Sequence, residues 1–285
     1  MVSTAHQAPR DSLTIEQFEG REYGPYPLRV CQEKVDEFVA ATGDDPKRWV
    51  SYAPPGWAAA ALFVVAPELL EDPAVALAPV IHGEQRFTWT GALVIESILE
   101  VSGRVSRVRE RSGVHFLTFE IEAADDEGPL IGGSSLFLVG GESPPAGEVG
   151  EHAEPGPSEA SPNDSFLQHA SEFPSLNRSA SRSDLIRYAA ATRDWNPVHW
   201  DHQAAVNAGL GGVVVHGLLQ AAWLMSAASS LRDRPDSLAE AKFRFRTPLP
   251  AAAPAVVSGV LDGEQLEVSL DGNGRQFVSG RIILR

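Results

Sequence analysis

Asp194, Asn196 and His199 place a carboxylate, a carboxamide and an imidazole within six residues, in the run Asp194-Trp195-Asn196-Pro197-Val198-His199. Pro197 fixes a turn between the acid and the imidazole, so both can point into one cleft. Such a pair suits the addition or removal of water, one group handling a proton on carbon and the other a proton on oxygen. Asn196 adds a donor and an acceptor that can hold a water or orient Asp194. The plainer reading makes Asp194 a helix N-cap with His199 incidentally nearby. Farther on, Val215-His216-Gly217 opens an uncharged helix-like run. The first N–H groups of that helix have no intrahelical partners. Aimed at a thioester carbonyl, they would stabilise the enolate-like oxygen formed during proton transfer. Gly217 permits close backbone approach, or serves only tight packing of helix on sheet.

Other chemistries find less support. His199, Asp201, His202 and His216 contain possible metal ligands, but no cysteine and no HExxH pattern accompanies them, and no metal is expected. There is no GxSxG elbow. Gly209-Leu210-Gly211-Gly212 fails the dinucleotide pattern, so no cofactor is expected. Arg104, Arg107, Arg109 and Arg111 are the densest basic cluster, and their spacing puts most of them on one strand face. They read as a solvated sheet face or as a phosphate dock. Arg193, Lys242, Arg244 and His216 join Arg104 and Arg107 as candidates for holding the thioester or its phosphates.

The elements that must position these groups fall into two sets. Leu28 to Gly43 has helical periodicity and ends in the turn cluster Thr42-Gly43-Asp44-Asp45-Pro46. Trp57 to Val65 is apolar on all sides, which predicts a buried helix, entered after Pro54-Pro55 and limited by Pro67. Strands are predicted over 83–89, 93–109, 113–123 and 130–139. The module is α+β, with a sheet wrapped on one central helix. Residues 141–164 are rich in Pro, Gly, Ser and Glu, with six acidic residues and no Lys or Arg, and read as an exposed tether. A helix over Ser183 to Ala191, capped by Ser181 or Ser183, precedes the acid/base stretch.

The second set repeats the first. Phe38-Val39-Ala40-Ala41-Thr42 matches Tyr188-Ala189-Ala190-Ala191-Thr192, Pro55-Gly56 matches His216-Gly217, and Arg86-Phe87-Thr88-Trp89 matches Lys242-Phe243-Arg244-Phe245. Three matches in one order argue for a duplicated module. The copies differ where chemistry would sit. Asp44 and Gly56 are 12 positions apart, Asp194 and Gly217 are 23 apart, and the first copy has no counterpart of His199. The expected division is 1–140, a degenerate module; 141–164, the linker; and 165–285, the catalytic module.

A formal charge of −15 argues against a nucleic-acid binder or a binder of anionic membranes. Cys31 is the only cysteine, the start lacks a signal-type apolar core, and the uncharged run 203–231 is glycine-interrupted, so a cytoplasmic protein without a membrane span is expected.

The stretch Asp194-Trp195-Asn196-Pro197-Val198-His199, followed by Val215-His216-Gly217, resembles the signature of MaoC-like dehydratases, which include the type-2, (R)-specific enoyl-CoA hydratases and the (3R)-hydroxyacyl-ACP dehydratases. Val80-Ile81-His82-Gly83-Glu84-Gln85-Arg86-Phe87 resembles the silent partner domain of that family. The resemblance implies a double hotdog: two antiparallel sheets, each on a central helix, packed as a pseudo-dimer in one chain. It implies Asp194 and His199 as the catalytic pair, Asn196 as support, Gly217 as an oxyanion donor and a first half that makes room for the acyl chain. The implied partner is an acyl-CoA or acyl-carrier-protein thioester, with a hotdog thioesterase and a non-catalytic acyl-thioester binder as rivals. A homodimer is compatible with it. Arg193 departs from the glycine that the family often has before the acid.

Overall fold

The computed structural model describes residues 14–140 and 171–285, and the expected linker at 141–164 lies outside the described residues. The first half runs β1 (Glu22–Arg29), α1 (Gln32–Thr42), β2 (Tyr52–Ala53), α2 (Ala59–Leu70), α3 (Pro73–Ala76), β3 (Val80–Trp89), β4 (Leu93–Val94), β5 (Ile98–Arg111), β6 (Val114–Asp125) and β7 (Gly128–Gly140). The second runs β8 (Ser171–Arg178), α4 (Arg182–Thr192), α5 (His202–Asn207), α6 (Gly217–Ser229), β9 (Leu238–Phe245), β10 (Ala255–Asp262), β11 (Gln265–Gly272) and β12 (Arg275–Leu284).

Two helices explain the layout. α2 and α6 are apolar nearly all round, so neither can face water on any side. α2 packs on β1, β5 and β6, and α6 packs on β9 to β12. β5 and β11 alternate, with Leu99, Val101 and Val105 or Leu266, Val268 and Leu270 turned to the core. The result is one sheet of ten strands in the order β1-β5-β6-β7-β3-β9-β12-β11-β10-β8. Read from its centre outward, each side repeats the other: this is a double hotdog.

The two halves join where β3 and β9 pair antiparallel, and Arg86 lies opposite Lys242. Those two residues are the ones the internal repeat aligns, so the pseudo-twofold axis passes between them. The helices obey the same symmetry. α1 packs against α4, with the Phe38 and Tyr188 rings 5.6 Å apart. α1 ends at Gly43 and α4 at Arg193, both left-handed, with φ of 65° and 70°. Glycine takes that conformation freely and arginine at a cost of about 1 kcal/mol, which the surrounding structure must offset.

Three local expectations need correction, and one alternative is settled. The helix predicted from Leu28 starts at Gln32, because Leu28 belongs to β1. Pro25 and Pro27 disguise that strand, and it tolerates them as an edge strand with an irregular register between Tyr23 and Tyr26. Pro67 does not end α2, which continues to Leu70; it forgoes one backbone bond, and burial of nearly every other side chain holds the helix through it. The single strand predicted over 93–109 is broken by a turn with Glu96 at φ 68°. Ser181, rather than Ser183, caps α4, in a reciprocal box with Asp184.

The halves also hold each other at their ends. The Arg48 guanidinium donates to the carbonyls of Ser229 (2.5 Å) and Arg232 (2.8 Å), which close the far end of α6, while Arg285 reaches back to the carbonyls of Trp89 and Thr90. A cation on the last carbonyls of a helix satisfies orphan acceptors and the macrodipole together. Arg48→Met should therefore destabilise the protein by about 1.5–3 kcal/mol in urea denaturation, the range for hydrogen bonds to a charged group.

Candidate active site

The acid/base stretch leaves α4 at Arg193, whose left-handed turn swings Asp194 inward. The Asp194 residue is buried at 7% exposure, between an exposed Arg193 and an exposed Trp195. Its Oδ1 faces the Asn196 N–H at 3.5 Å. Asp194 is not a helix cap. Asn196 takes that role, its Oδ1 accepting from the Val198 N–H at the start of a single 3-10 turn over Pro197–His199. Asp45 does the same before Pro46 in the first half. Thus the asparagine holds the turn that carries His199.

His199 Nδ1 lies 2.9 Å from the Val214 carbonyl. A carbonyl only accepts, so the proton sits on Nδ1 and Nε2 keeps its lone pair as a base. His216 is fully buried, and its Nε2 lies 3.2 Å from the Asp194 backbone carbonyl, which places its proton on Nε2 by the same reasoning. The two imidazoles stack, centroids 3.9 Å apart at 27°. Ligand-type atoms of Asp194, His199 and His216 all lie within 4.8 Å of one another. Sequence spacing brought Asp194 and His199 together; the 22-residue gap to His216 is closed by α5 and the glycine crossing.

Burial governs the titration of this cluster. It raises the Asp194 carboxyl above its ordinary range, opposed by the charge of His199 and the Asn196 N–H. It drives the His216 imidazole well below its usual value, with His199 as a further cause. Tyr188 is pushed well above 10, by desolvation and then by Asp194, and its ring lies 4.9 Å from His216. The side-chain atoms Tyr188 Oη, His216 Nδ1 and Gln220 Oε1 are buried here without a hydrogen-bond partner among the described residues. Tyr188 stands where the silent copy has Phe38, so the comparison of copies carried a signal for it that composition did not.

The remaining candidates lie elsewhere. Gly217 is the first residue of α6, and a Cβ there would meet the Phe245 ring at 3.2 Å. Arg244 and Lys242 are on β9, held by Glu84 at 2.7 and 3.5 Å. Arg104 and Arg107 are on the exposed face of β5, where an irregular register between Val105 and Arg107 keeps them on one side; Arg104 lies opposite Glu22 and Glu120. His216, expected among the thioester- or phosphate-holding groups, has no exposed surface and instead backs the acid/base pair.

A pH dependence follows. His82 in β3 is pulled down to about 4 by burial, and His216 lies low as well, so both are neutral when folded. The unfolded chain takes up their protons near the ordinary 6.5. Their contribution is therefore complete above that pH and lost as pH falls toward the folded values. The urea midpoint should drop on acidification from pH 6.5 to 4, and drop less in His82→Leu.

Residues 167–266 match the family model for the MaoC like domain. A protein of the UPF0336 group from Streptomyces avermitilis is 30% identical over 131 residues, covering 41% of this chain and 87% of its own. The chain carries a MaoC-like dehydratase domain in its second half and belongs with the UPF0336 proteins. A solved MaoC-like dehydratase superposes with a TM-score of 0.77 at 19% identity, over 95% of this chain and 99% of its own. A Mycobacterium tuberculosis protein described as a double hotdog does so at 0.64 and 11%, over 93% and 96%. At these identities the two structures speak for the fold alone. Among the described residues of this MaoC-like protein, no helix is long and apolar enough to cross a membrane.

Proposed function

We propose that this MaoC-like protein is a hydro-lyase that reversibly adds water across a trans-2-enoyl thioester to give the (3R)-hydroxyacyl thioester. The observation that carries the reading is the pairing of a buried Asp194 with a His199 whose Nδ1 is occupied by the Val214 carbonyl. One group is an acid whose proton is held more tightly than usual, and the other is a base with a fixed lone pair. In hydration the water oxygen bonds to C3, its proton passes to one member of the pair, and the other returns a proton to C2. The charge that gathers on the thioester oxygen meanwhile is met by the N–H of Gly217 and its neighbours at the start of α6. Asn196 fixes the intervening turn. His216 bonds the Asp194 backbone, stacks on His199 and stays neutral, so that His199 can take a proton without a second charge 3.9 Å away.

In this reading residues 165–285 carry the chemistry, 1–140 form the acyl-chain and partner half, and 141–164 tether the two. The thiol carrier is CoA or an acyl-carrier protein, and the setting is acyl metabolism in the cytoplasm. Arg193, exposed and next to Asp194 in the chain, is among the proposed phosphate contacts. One assay separates this from its rivals: crotonyl-CoA followed at once by enoyl absorbance and by free thiol. Hydration removes the enoyl band without thiol. Thiol release would make the protein a thioesterase, and binding without either change would make it a non-catalytic acyl-thioester binder.

A further inference from the structure

The half that lacks the acid/base pair sends a histidine toward the start of α6. His82 on β3 lies opposite Phe137 of β7, with the rings 4.9 Å apart. Its ring is also 5.0 Å from Phe245, the ring that packs against Gly217. His82 is therefore one aromatic ring away from the start of α6. The pseudo-twofold axis gives the comparison. The mate of His82 opposite Phe137 is Leu238 opposite Leu284, each beside a register shift of one residue. At that silent site Leu238 lines a crevice with Ala53, Pro55 and Trp89. The mates of those three are Val214, His216 and Phe245, so in the catalytic cleft a histidine stands where the silent site has a leucine.

The difference extends behind His82. Gln85 and Ser135 are fully buried and lie opposite each other; the mates by register are Ala241 and Ile282. Gln85 Nε2 donates to the Arg86 carbonyl at 2.9 Å, which turns Oε1 toward Ser135 Oγ (2.6 Å) and His82 Nε2 (3.1 Å). Oε1 only accepts, so the His82 proton is on Nε2 and Nδ1 is an acceptor. Burial keeps the ring neutral. A buried polar triad costs desolvation that an apolar one avoids. It lies one ring from the start of α6, and its mates beside the silent site are apolar.

We propose that His82, held by Gln85 and Ser135, is the first half's recognition group: it accepts a hydrogen bond from an N–H or O–H of the thioester substrate, away from the reacting carbons. This rests on the thioester reading above. Two sources carry such a donor, the amides of the pantetheine arm and a hydroxyl on the acyl chain.

Titration calorimetry with saturated, unreactive thioesters tests it independently of turnover. His82→Leu is compared with wild type on hexanoyl-CoA and 6-hydroxyhexanoyl-CoA. A loss of tenfold or more on both assigns the pantetheine arm; a loss confined to the hydroxyacyl ligand assigns the chain. His82→Asn, whose Oδ1 falls near the place of Nδ1, should restore most of the affinity, and Leu238→His at the silent site should change neither ligand. Unaltered affinities in His82→Leu, or a loss that His82→Asn fails to restore, would overturn the proposal. Should His82→Leu not fold, tenfold weaker binding by His82→Phe with recovery in His82→Asn decides in favour, and no such difference decides against. A wild type that binds these ligands but hydrates no enoyl thioester removes the hydratase reading and leaves the His82 result standing.

Discussion

Asp194→Asn and His199→Ala should each lower the turnover of crotonyl-CoA by about 10²–10⁴, the usual worth of a positioned acid or base. The double variant should fall little below the worse single one, because the two groups complete one proton circuit and removing either disables it. Wild-type rates in both single variants would end the hydratase reading. Asp194→Asn has a second signature, in stability. Burial raises the folded carboxyl's pKa above its ordinary 3.8. An acid shifted upward favours folding only where it is protonated, and that advantage is lost as pH rises from 3.8 through the folded value. Near neutral pH burial of this acid therefore opposes folding, and the amide of the same shape, which does not titrate, carries no such cost. The variant should thus melt higher than wild type near neutral pH, with the gain vanishing below 3.8. Together these results would mark Asp194 as a residue kept against stability.

The sequence carried the fold because both signals it rests on are local. An apolar run without a polar face, as in Trp57 to Val65, has no stable place except inside a sheet. The duplication was readable because each copy keeps the same punctuation: a threonine bonding back into its helix, a left-handed C-cap, then a proline turn. β1 escaped because its two prolines belong to an edge that pattern reading cannot distinguish from a loop. The site was legible only in part for a related reason. Asp194, Asn196 and His199 are near one another in the chain, so spacing suggested a cluster. The glycine beside His216 suggests a place at the substrate, since nothing in the chain says that a histidine after a glycine-rich crossing will be fully buried against His199. His82 was farther still. Its neighbours Phe137 and Phe245 are 55 and 163 positions away, and only the pairing of β3 with β7 and β9 brings the three rings together.

Gly217→Pro should lower turnover by about 10²–10³, the cost of removing one oxyanion donor, whereas Gly217→Ala should cost far less. The comparison works because of where the residue sits. Position N1 of a helix is the one interior-side position that proline occupies readily, since its N–H has no intrahelical partner to lose. The residue before a proline must be extended, and His216 already is, with φ −52° and ψ 134°. Both substitutions add a Cβ that the Phe245 ring must yield to by a few tenths of an ångström, from a contact of 3.2 Å. They differ in the N–H, which proline replaces with its ring Cδ, so the ratio of their rates reports the lost donor together with the methylene that takes its place. Thermal melting within a few degrees of each other would establish that α6 starts normally in both. Equal rates for the two variants would mean that the helix N-terminus only packs against Phe245, and that charge on the thioester oxygen is met elsewhere. A large ratio, with KM nearly the same, would place the stabilisation in the transition state. That outcome would tie the glycine shared by both copies, Gly56 and Gly217, to two different uses. In the first half the Gly56 Cα faces Ala222 and Phe38 and leaves room for packing alone; in the second the same turn leads into a helix whose first N–H groups lie beside an acid/base pair.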